Sequence, residues 1–434
     1  MDSFGWLHLT DLHWGMADQK SLWPRMKQKF FEDIPVLHEQ SGPWDMVLFT
    51  GDLTQRGTAE QFEQFDHVLL QCWQLFERCG SHPALLAVPG NHDLLRPASR
   101  DPTVRGLKSW DGDIRSEFWA DAKSPYRDTV VKAFTSYSEW WNSQTLRPAT
   151  VRPGMLPGDF SATIEKNGAK LGILGLNTTF LQLTDGDYKG KLGVHPQQFQ
   201  DACEGDGPAW TQQHDACLLL THQPPDWLTP EAQMHLDSEI ADAGQFALHL
   251  FGHMHESLLR STALGGGAAR RILQGRSIFG LEYFAGKDGG GGIVRSHGYS
   301  AGKIELREDR GTFTLWPREA RRDQDGTWRI VPDQSYVLVE YLHTKPLDFP
   351  LLRRRPTSGA DVRPETVQSI RREMLAAASI RELRDALYRV ETLLETLPKR
   401  ESREEAQTLR DQIRDAIQRE RTAKGFRREE RRGA

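Results

Sequence analysis

Short runs of apolar residues recur along the first two thirds of the chain, and each ends at a cluster of polar residues. The runs are Phe4–Thr10, Met46–Thr50, Ala84–Val88, Lys170–Leu176, Cys217–Thr221 and Phe246–Phe251. Short apolar runs bounded by Gly and Pro are typical of strands that are buried on both faces. Helical patterns over residues 21–40 and 58–79 separate the first three runs, and Thr58 with Gln61 predicts a capping box. This alternation predicts an α/β fold.

A long segment, residues 94–160, interrupts the alternation before the run at Lys170–Leu176. Four tryptophans stand in it: Trp110, Trp119, Trp140 and Trp141. They could stack on a nucleobase, but aromatic residues at helical spacing more often pack a core, and we favour that interpretation. Further on, Ile272–Gly280, Tyr299–Leu306 and Thr312–Pro317 predict strands that complete the second sheet of a sandwich.

The pattern changes again near residue 360. Apolar residues recur at alternating steps of three and four at Ile380, Leu383, Leu387, Val390, Leu394 and Leu397, and again at Ala406, Leu409, Ile413 and Ala416. Such a pattern is typical of a coiled-coil-like seam. Ser379 with Glu382, and Ser402 with Glu405, predict capping boxes that open two helices. The tail is either a helical hairpin packed on its own chain or a module for dimerisation or partner binding.

The polar clusters at the ends of the apolar runs contain the chemically active residues. They are Asp11-Leu12-His13, Gly51-Asp52, Gly90-Asn91-His92-Asp93, Thr221-His222 and Gly252-His253-Met254-His255. Ligand sites in such sheets gather at the carboxyl ends of strands, so we expect the five clusters to converge. Carboxylate, amide and imidazole groups suit Mn, Fe, Zn, Ni or Mg, whereas the lack of a thiolate disfavours a structural zinc site.

The order and chemistry of these motifs resemble the calcineurin-like metallophosphoesterase superfamily over roughly residues 3–318. The resemblance implies a four-layer αββα sandwich, here with a C-terminal α-helical extension. We therefore predict a catalytic domain over residues 1–350 and a helical hairpin or coiled-coil-like interaction module over residues 360–434.

The resemblance also implies a role for each motif residue at a centre of two divalent metal ions, with Mn or Fe favoured. One metal would be bound by Asp11, His13 and His255, and the other by Asn91, His222 and His253. Asp52 would bridge the two. Two such cations lower the pKa of a bridging water and hold the oxygens of an in-line displacement, so the implied reaction is attack of a metal-bridging hydroxide on a phosphoester.

His92 is not expected to bind metal, since in the resembling family this position faces the substrate. An imidazole there can protonate the departing alkoxide, so His92 is our candidate for the general acid. The acidic residue that orients it in the protein-phosphatase branch is replaced here by Gln55. Asp93 is the nearest substitute along the chain. Arg56, Asn177 and Trp14 are the candidate substrate contacts.

The substrate class follows from the form of the motifs. The Gly-Asn-His-Asp motif and the compact His222-Gln-Pro-Pro segment resemble the bacterial cyclic-nucleotide phosphodiesterase branch more than the protein phosphatases. We therefore predict hydrolysis of cyclic nucleotides or related small phosphodiesters. Two alternatives remain: a DNA or RNA nuclease of the repair-nuclease branch, and a signalling or defence effector that is recruited through its C-terminal helices.

Composition limits the partners and the compartment. The chain has 434 residues, of which 38% are hydrophobic and 26% charged, as in a soluble globular protein. No apolar run is long enough to span a bilayer, and the N-terminal residues do not resemble a signal peptide. The four cysteines have no metal or disulfide spacing, which favours a reducing cytoplasm.

Charge is distributed unevenly along the sequence. From Arg353 onward there are 21 Lys and Arg against 15 Asp and Glu, whereas residues 1–352 have 34 against 45. Binding to duplex nucleic acid depends on basic residues that neutralise phosphates, so an acidic catalytic part is not expected to bind a duplex. The expected partners are a small phosphodiester or nucleotide, and a protein or second copy bound by residues 360–434.

Overall fold

The computed structural model describes most of the chain up to residue 353 and short helical pieces beyond it. The described residues are 2–16, 19–255, 257–263, 265, 267–278, 282–285, 291–294, 297–353, 370–371, 374–375, 383, 386–387, 390, 406–417 and 419. The chain forms two compact units, Met1–Arg355 and Pro356–Ala434.

The strands of the first unit are β1 (Asp2–Leu9), β2 (Met46–Thr50), β3 (Ala84–Val88), β4 (Arg152–Pro153), β5 (Phe160–Lys166), β6 (Ala169–Gly175), β7 (Ala216–Leu220), β8 (Leu248–Phe251), β9 (Leu258–Thr262), β10 (Arg270–Gln274), β11 (Glu282–Ala285), β12 (Gly291–Val294), β13 (Gly298–Leu306), β14 (Arg310–Arg322), β15 (Trp328–Pro332), β16 (Leu338–Val339), β17 (His343–Thr344) and β18 (Leu347–Pro350).

Its helices are α1 (Gln19–Ser41), α2 (Ala59–Arg78), α3 (Pro102–Ser109), α4 (Gly112–Ala120), α5 (Pro125–Ala133), α6 (Thr135–Ser143), α7 (Pro196–Ala202), α8 (Gly207–Gln212) and α9 (Pro230–His235). A short 3-10 helix covers Pro225–Trp227, and a π-helical turn covers Leu236–Ile240.

Two seven-stranded sheets dominate the described part of the first unit. The first has the order β15-β14-β13-β1-β2-β3 with β18 beside β14, and the second has the order β4-β5-β6-β7-β8-β10-β9. Strands β1, β2 and β3 are parallel to one another, as are β6, β7, β8 and β10. The parallel strands of each sheet therefore end at one edge, which is where the polar clusters stand.

A continuous cluster of buried apolar side chains includes strands of both sheets and the helices that cover them. Leu7 and Leu48 contribute from the first sheet, and Ile173 and Leu219 from the second, all fully buried. The predicted α/β fold with helices flanking two sheets is confirmed.

Most elements follow the sequence pattern. The strands predicted at Tyr299–Leu306 and Thr312–Pro317 form as β13 and β14, but the prediction that they complete the second sheet is wrong, because they extend the first sheet beside β1. Strands β2 and β3 coincide with the predicted runs, and β1, β6 and β7 are displaced by one or two residues. Helix α2 begins after Thr58, whose hydroxyl accepts from the Gln61 amide as the capping box predicts. The Gln61 side chain instead accepts from the Arg56 amide at 2.8 Å, so the reciprocal half of the box is absent.

The segment between β3 and β4 folds into helices α3 to α6. Trp119, Trp140 and Trp141 are each less than a tenth exposed, and Trp110 packs against the same core. Trp140 stacks on Phe62 of α2 with ring centroids 5.2 Å apart. These tryptophans are therefore core residues, as the favoured interpretation predicted.

The second unit has a hydrophobic core of its own. Residues 406–417 are helical, and a cluster of buried side chains joins them to earlier residues of the unit. Its buried members are Ile370, Leu383, Ala386, Val390, Ala406, Leu409, Ile413 and Ile417. The predicted caps Ser379/Glu382 and Ser402/Glu405, and the seam residues Ile380, Leu394 and Leu397, lie outside the described residues. In the described part of the chain, no helix is both long and apolar enough to cross a membrane.

Candidate metal centre

The seven predicted metal ligands come together at the carboxyl ends of parallel strands. Asp11 and His13 follow β1, Asp52 follows β2, and Asn91 follows β3 in the first sheet. His222 follows β7 of the second sheet, and the pair His253 and His255 follows β8. The two sheets thus contribute side chains to one site, although up to 244 positions separate contacting ligands along the chain.

One group of ligands combines the end of β1 with the loop after β8. The Nε2 atoms of His13 and His255 are 3.5 Å apart, and His255 Nε2 is 3.4 Å from Asp11 Oδ1. Asp11, His13 and His255 each offer a ligand atom within 4.8 Å of the other two. A single cation can therefore contact all three side chains.

A second group lies beside the first. His222 Nε2 is 3.1 Å from Asn91 Oδ1 and 3.2 Å from His253 Nδ1. Asp52 lies between the groups, because its Oδ2 is 3.7 Å from His13 Nε2 and 3.4 Å from His222 Nε2. The other Asp52 oxygen accepts from the backbone amide of His92 at 2.8 Å, which fixes the carboxylate in this position.

The backbone at the ligands is strained. Asp11, His13, Asp52, His253 and His255 all have positive φ values, between 49° and 73°. Residues other than glycine rarely adopt this region, at a cost of about 1–3 kcal/mol each, and such residues cluster at functional sites. The surrounding hydrogen bonds hold them there: Asp11 N donates to Gly51 O at 3.0 Å, and His13 N to Asp52 O at 2.9 Å.

The electrostatics of the cluster favour a cation. Burial alone would raise the pKa of Asp52, but the nearby imidazoles, first of all His222, hold it well below its usual value. Burial would likewise lower the pKa of His222, yet Asp52 and then Asp11 raise it to about 9. Asp11 Oδ1 is buried and accepts no hydrogen bond among the described residues. Buried carboxylates and convergent nitrogen and oxygen lone pairs form a donor set that fits divalent metals.

His92 lies at the same cluster, with its ring centroid 4.7 Å from that of His13. Its Nδ1 is 3.1 Å from the main-chain carbonyl of Gln55. The prediction that Asp93 orients His92 is wrong. The buried Asp93 carboxylate instead accepts from the amides of Leu53 and Thr54 at 3.0 and 2.8 Å, because its side chain turns toward the loop after β2. Asp93 therefore holds the loop that carries the Gln55 carbonyl.

The predicted substrate contacts have different surroundings. Arg56 is exposed in the loop after β2 and makes no ion pair among the described residues. Trp14 is partly exposed, and its indole nitrogen donates to Gln64 at 3.2 Å. Asn177 is fully buried: its amide donates to Pro157 O at 2.7 Å, and its oxygen accepts from the Thr179 amide. The contacts of Asn177 are those of a structural residue, and no described contact joins it to the ligands.

Two contacts to the ligands were not predicted. The carbonyl of Thr50 is 2.7 Å from His222 Nδ1, so the Nδ1 proton is held there and Nε2 faces the cluster. The ring of Trp227 meets that of His253 edge-on with centroids 4.0 Å apart. A backbone carbonyl has no signature in the sequence. Trp227 follows His222 by five positions, and this nearness is the only signal that could have indicated it.

A comparison of the sequence with known protein families agrees with this geometry. Residues 6–257, more than half of the chain, match the profile of the calcineurin-like phosphoesterase family. The chain belongs to this family. Members are hydrolases that typically bind two divalent metals, and the clustered Asp, Asn and His side chains are consistent with such a centre. Among curated protein sequences, none matches the chain.

Solved structures with a similar fold are distant in sequence. Purple acid phosphatase PPD1 from yellow lupin is 12% identical, with 76% of this chain and 54% of that chain covered and a TM-score of 0.36. The Thermus thermophilus sulfate thiohydrolase SoxB is 14% identical, with 78% and 57% covered and a TM-score of 0.32. A hypothetical protein from Thermus thermophilus is 13% identical, with 80% and 100% covered and a TM-score of 0.34.

Proposed function

We propose that this protein hydrolyses phosphodiester bonds of cyclic nucleotides or related small phosphodiesters. The observation that carries the proposal is the position of Asp52, whose Oδ2 faces both ligand groups at 3.7 and 3.4 Å. Two divalent metals, with Mn or Fe favoured, would supply an activated water and neutralise charge on the phosphoryl oxygens. Asp11, His13 and His255 would hold one metal, and Asn91, His222 and His253 the other.

His92 would donate the proton that the leaving oxygen requires. Its Nδ1–H donates to Gln55 O, which fixes the ring and leaves Nε2 as the atom that exchanges a proton. After the Nε2 proton passes to the departing alkoxide, the ring is neutral and keeps the same hydrogen bond. The exposed guanidinium of Arg56 is available to bind a phosphate oxygen, as a planar donor of several N–H groups does well.

The preference for diesters rests on the motif form, because Gly90-Asn91-His92-Asp93 and His222-Gln223-Pro224-Pro225 resemble the cyclic-nucleotide branch.

The four cysteines are free thiols, and burial raises the pKa of Cys72 and of Cys203 to about 12. Cysteines that form no disulfide favour a reducing compartment, so we propose a cytoplasmic enzyme.

The test is hydrolysis by Mn-loaded protein of a phosphomonoester, a generic phosphodiester, cyclic nucleotides, and single- and double-stranded DNA. We expect the cyclic or generic diester to be preferred. Asp52→Ala should lose both hydrolysis and bound metal, whereas Asp128→Ala, which changes an exposed carboxylate on α5, should change neither. A preference for DNA would support the nuclease alternative, and the lack of activity on every substrate would contradict the proposal.

A second role is suggested by the C-terminal unit. Among the described residues, its buried cluster packs residues 406–417 against earlier helical residues of the same unit. A small helical module with its own core is suited to bind a protein or a second copy of the chain. We propose that residues 360–434 are such a module, through which a signalling or defence role would operate. We expect that disruption of this core abolishes the binding of the partner or the self-association of the chain.

A further inference from the structure

One short segment connects the two sheets at the strand ends that precede the ligands. The crossing segment, residues 275–278, follows β10 and runs between the ends of β8 and β1. The Gly275 amide donates to Phe251 O at 2.7 Å, at the end of β8. The Ile278 amide donates to Thr10 O at 3.0 Å, at the end of β1. The crossing segment therefore bonds to both strands whose ends carry Asp11 and His255.

The side chain of Ser277 reaches a predicted ligand directly. Its hydroxyl donates to the main-chain carbonyl of Asp11 at 2.8 Å, and Ser277 is fully buried. Asp11 has a φ of 53°, so its backbone needs support from outside its own strand. The bond from Ser277 fixes the carbonyl of this strained residue.

The side chain of Arg276 binds the chain close to His255, which belongs to the same ligand group as Asp11. Its Nη2 donates to Asp333 Oδ2 at 2.8 Å, and its Nε donates to the hydroxyl of Ser257 at 3.1 Å. Ser257 also donates to Asp333 Oδ2 at 2.9 Å. Ser257 lies two positions after His255, so the Arg276–Asp333 pair holds the chain as it leaves that ligand.

The ion pair is shielded from solvent. The Asp333 side chain is fully buried, and that of Arg276 is 17% exposed. The second Asp333 oxygen accepts from the amide and hydroxyl of Ser335, so the carboxylate is fully engaged. A buried and fully bonded pair fixes its neighbours more tightly than an exposed pair does.

We propose that Ser277 and Arg276 are positioning residues for one half of the metal centre. They set the separation between Asp11, from the first sheet, and His255, from the second. Both residues lie beyond position 257, where the match to the family ends. This inference rests on the metal-binding part of the proposed function and on none of its substrate assignment.

The first test compares Ser277→Ala with Ser161→Ala in the full-length protein. Ser161 is also a buried serine that donates to a main-chain carbonyl, that of Ala202 at 2.6 Å, and it contacts no ligand. We expect Ser277→Ala to retain one Mn per chain after dialysis where the wild type retains two, and to need about 10–100-fold more Mn for half-saturation. Ser161→Ala should match the wild type in both measurements.

The second test uses Arg276. Arg276→Met should lose the same metal, and Arg276→Lys, which keeps the charge, should restore part of the retention. Metal content is measured by mass spectrometry without substrate, so failure of the proposed hydrolysis is seen separately from failure of this inference. Wild-type metal retention in both Ser277→Ala and Arg276→Met would overturn the proposal. Equal metal loss in Ser161→Ala would also overturn it, because the effect would then be a general loss of rigidity.

Discussion

Single residues at this site combine a ligand atom with a strained backbone. Five of the predicted ligands have a left-handed backbone, and each lies in the segment that follows a buried strand. The side chains of all five lie close to the other ligands at the ends of the two sheets. The strain is therefore the means by which a strand end presents a ligand inward, and the buried sheets stabilise it.

The role of His92 gives a prediction at this scale. His92→Ala should keep both metals, because the seven ligands remain, and should lower kcat by about 10²–10⁴-fold through loss of proton transfer. Metal content and steady-state hydrolysis are the measurements. His67→Ala, which removes an exposed histidine of α2, is the control and should leave both unchanged. If His92→Ala lost metal, His92 would be a ligand and not the general acid.

A second prediction concerns Gly90. A Cβ atom at this position would lie 2.1 Å from Asp52 Oδ1 and 2.2 Å from Asp52 N, far closer than real contacts allow. Gly90→Ala should therefore displace Asp52 and abolish both metal retention and hydrolysis. Gly112→Ala is the matched control, because a Cβ at Gly112 meets nothing within 4 Å. A Gly90→Ala protein that retained wild-type metal content would contradict the position assigned to Asp52.

At the residue scale, the sequence predicted the groups that carry their own chemical signature. Asp, Asn and His after apolar runs could be found from residue type and position. The partner of His92 could not, because it is the Gln55 carbonyl, and any residue can supply a carbonyl. Asn177 was selected for its place at a strand end, but its buried amide bonds the backbone around it.

At the scale of elements, the loop after β6 is joined to the segment before β5 by Asp159. This buried carboxyl accepts from the Asn177 amide at 2.7 Å, the Leu156 amide at 2.9 Å and the Gln198 side chain at 3.0 Å. Burial raises its pKa to about 7, and the hydrogen bonds offset only part of this effect. The loop thus depends on a carboxyl group that is largely protonated below neutral pH.

The sign of the resulting pH dependence is fixed. The unfolded chain releases this proton near pH 4 and the folded protein near pH 7, so the folded state binds the extra proton in between. As the pH rises through this window, the free energy of unfolding should therefore fall by about 1.4 kcal/mol for each pH unit. Asp159→Asn cannot titrate and should lack this contribution. Urea unfolding of both proteins at pH 5 and pH 7 measures it, and an equal pH dependence would refute the shift.

The elements themselves were largely predictable, since a run such as Met46–Thr50 can be buried on both faces only as a central strand. The order of the strands was not. Strand β13 pairs with β1 in an antiparallel register that joins Trp6 to Gly302. No local pattern encodes a pairing across almost 300 positions, because the hydrophobic pattern of a strand specifies which face is buried and not which strand lies beside it.

At the scale of the whole molecule, the two compact units differ in charge and in core size. The first contains all seven predicted ligands and a continuous core, whereas the second has a small core of its own. The part of the sequence from Arg353 onward has six more basic than acidic residues, and the preceding part has eleven more acidic residues. The proposed hydrolysis and the proposed partner binding should therefore be separable by mutation.

This separation gives the last prediction. Ile413 is fully buried in the second unit, so Ile413→Asp should unfold that unit in the full-length chain and abolish its self-association or partner binding. Hydrolysis and metal content should not change. Gln412→Asp introduces the same charge at the adjacent exposed position and is the control. Circular dichroism, light scattering and hydrolysis are the measurements, and a loss of hydrolysis in Ile413→Asp alone would show that the two units are coupled.

The distance along the chain between contacting ligands has a consequence for biosynthesis. The backbone amide of His253 donates to Asp11, 242 positions earlier, and the crossing segment follows later still. A nascent chain on the ribosome therefore has no complete set of ligands until His255 has emerged. The full ligand set can therefore form only after strands of both sheets have been synthesised and paired, because a preformed metal site rarely exists in an unfolded chain.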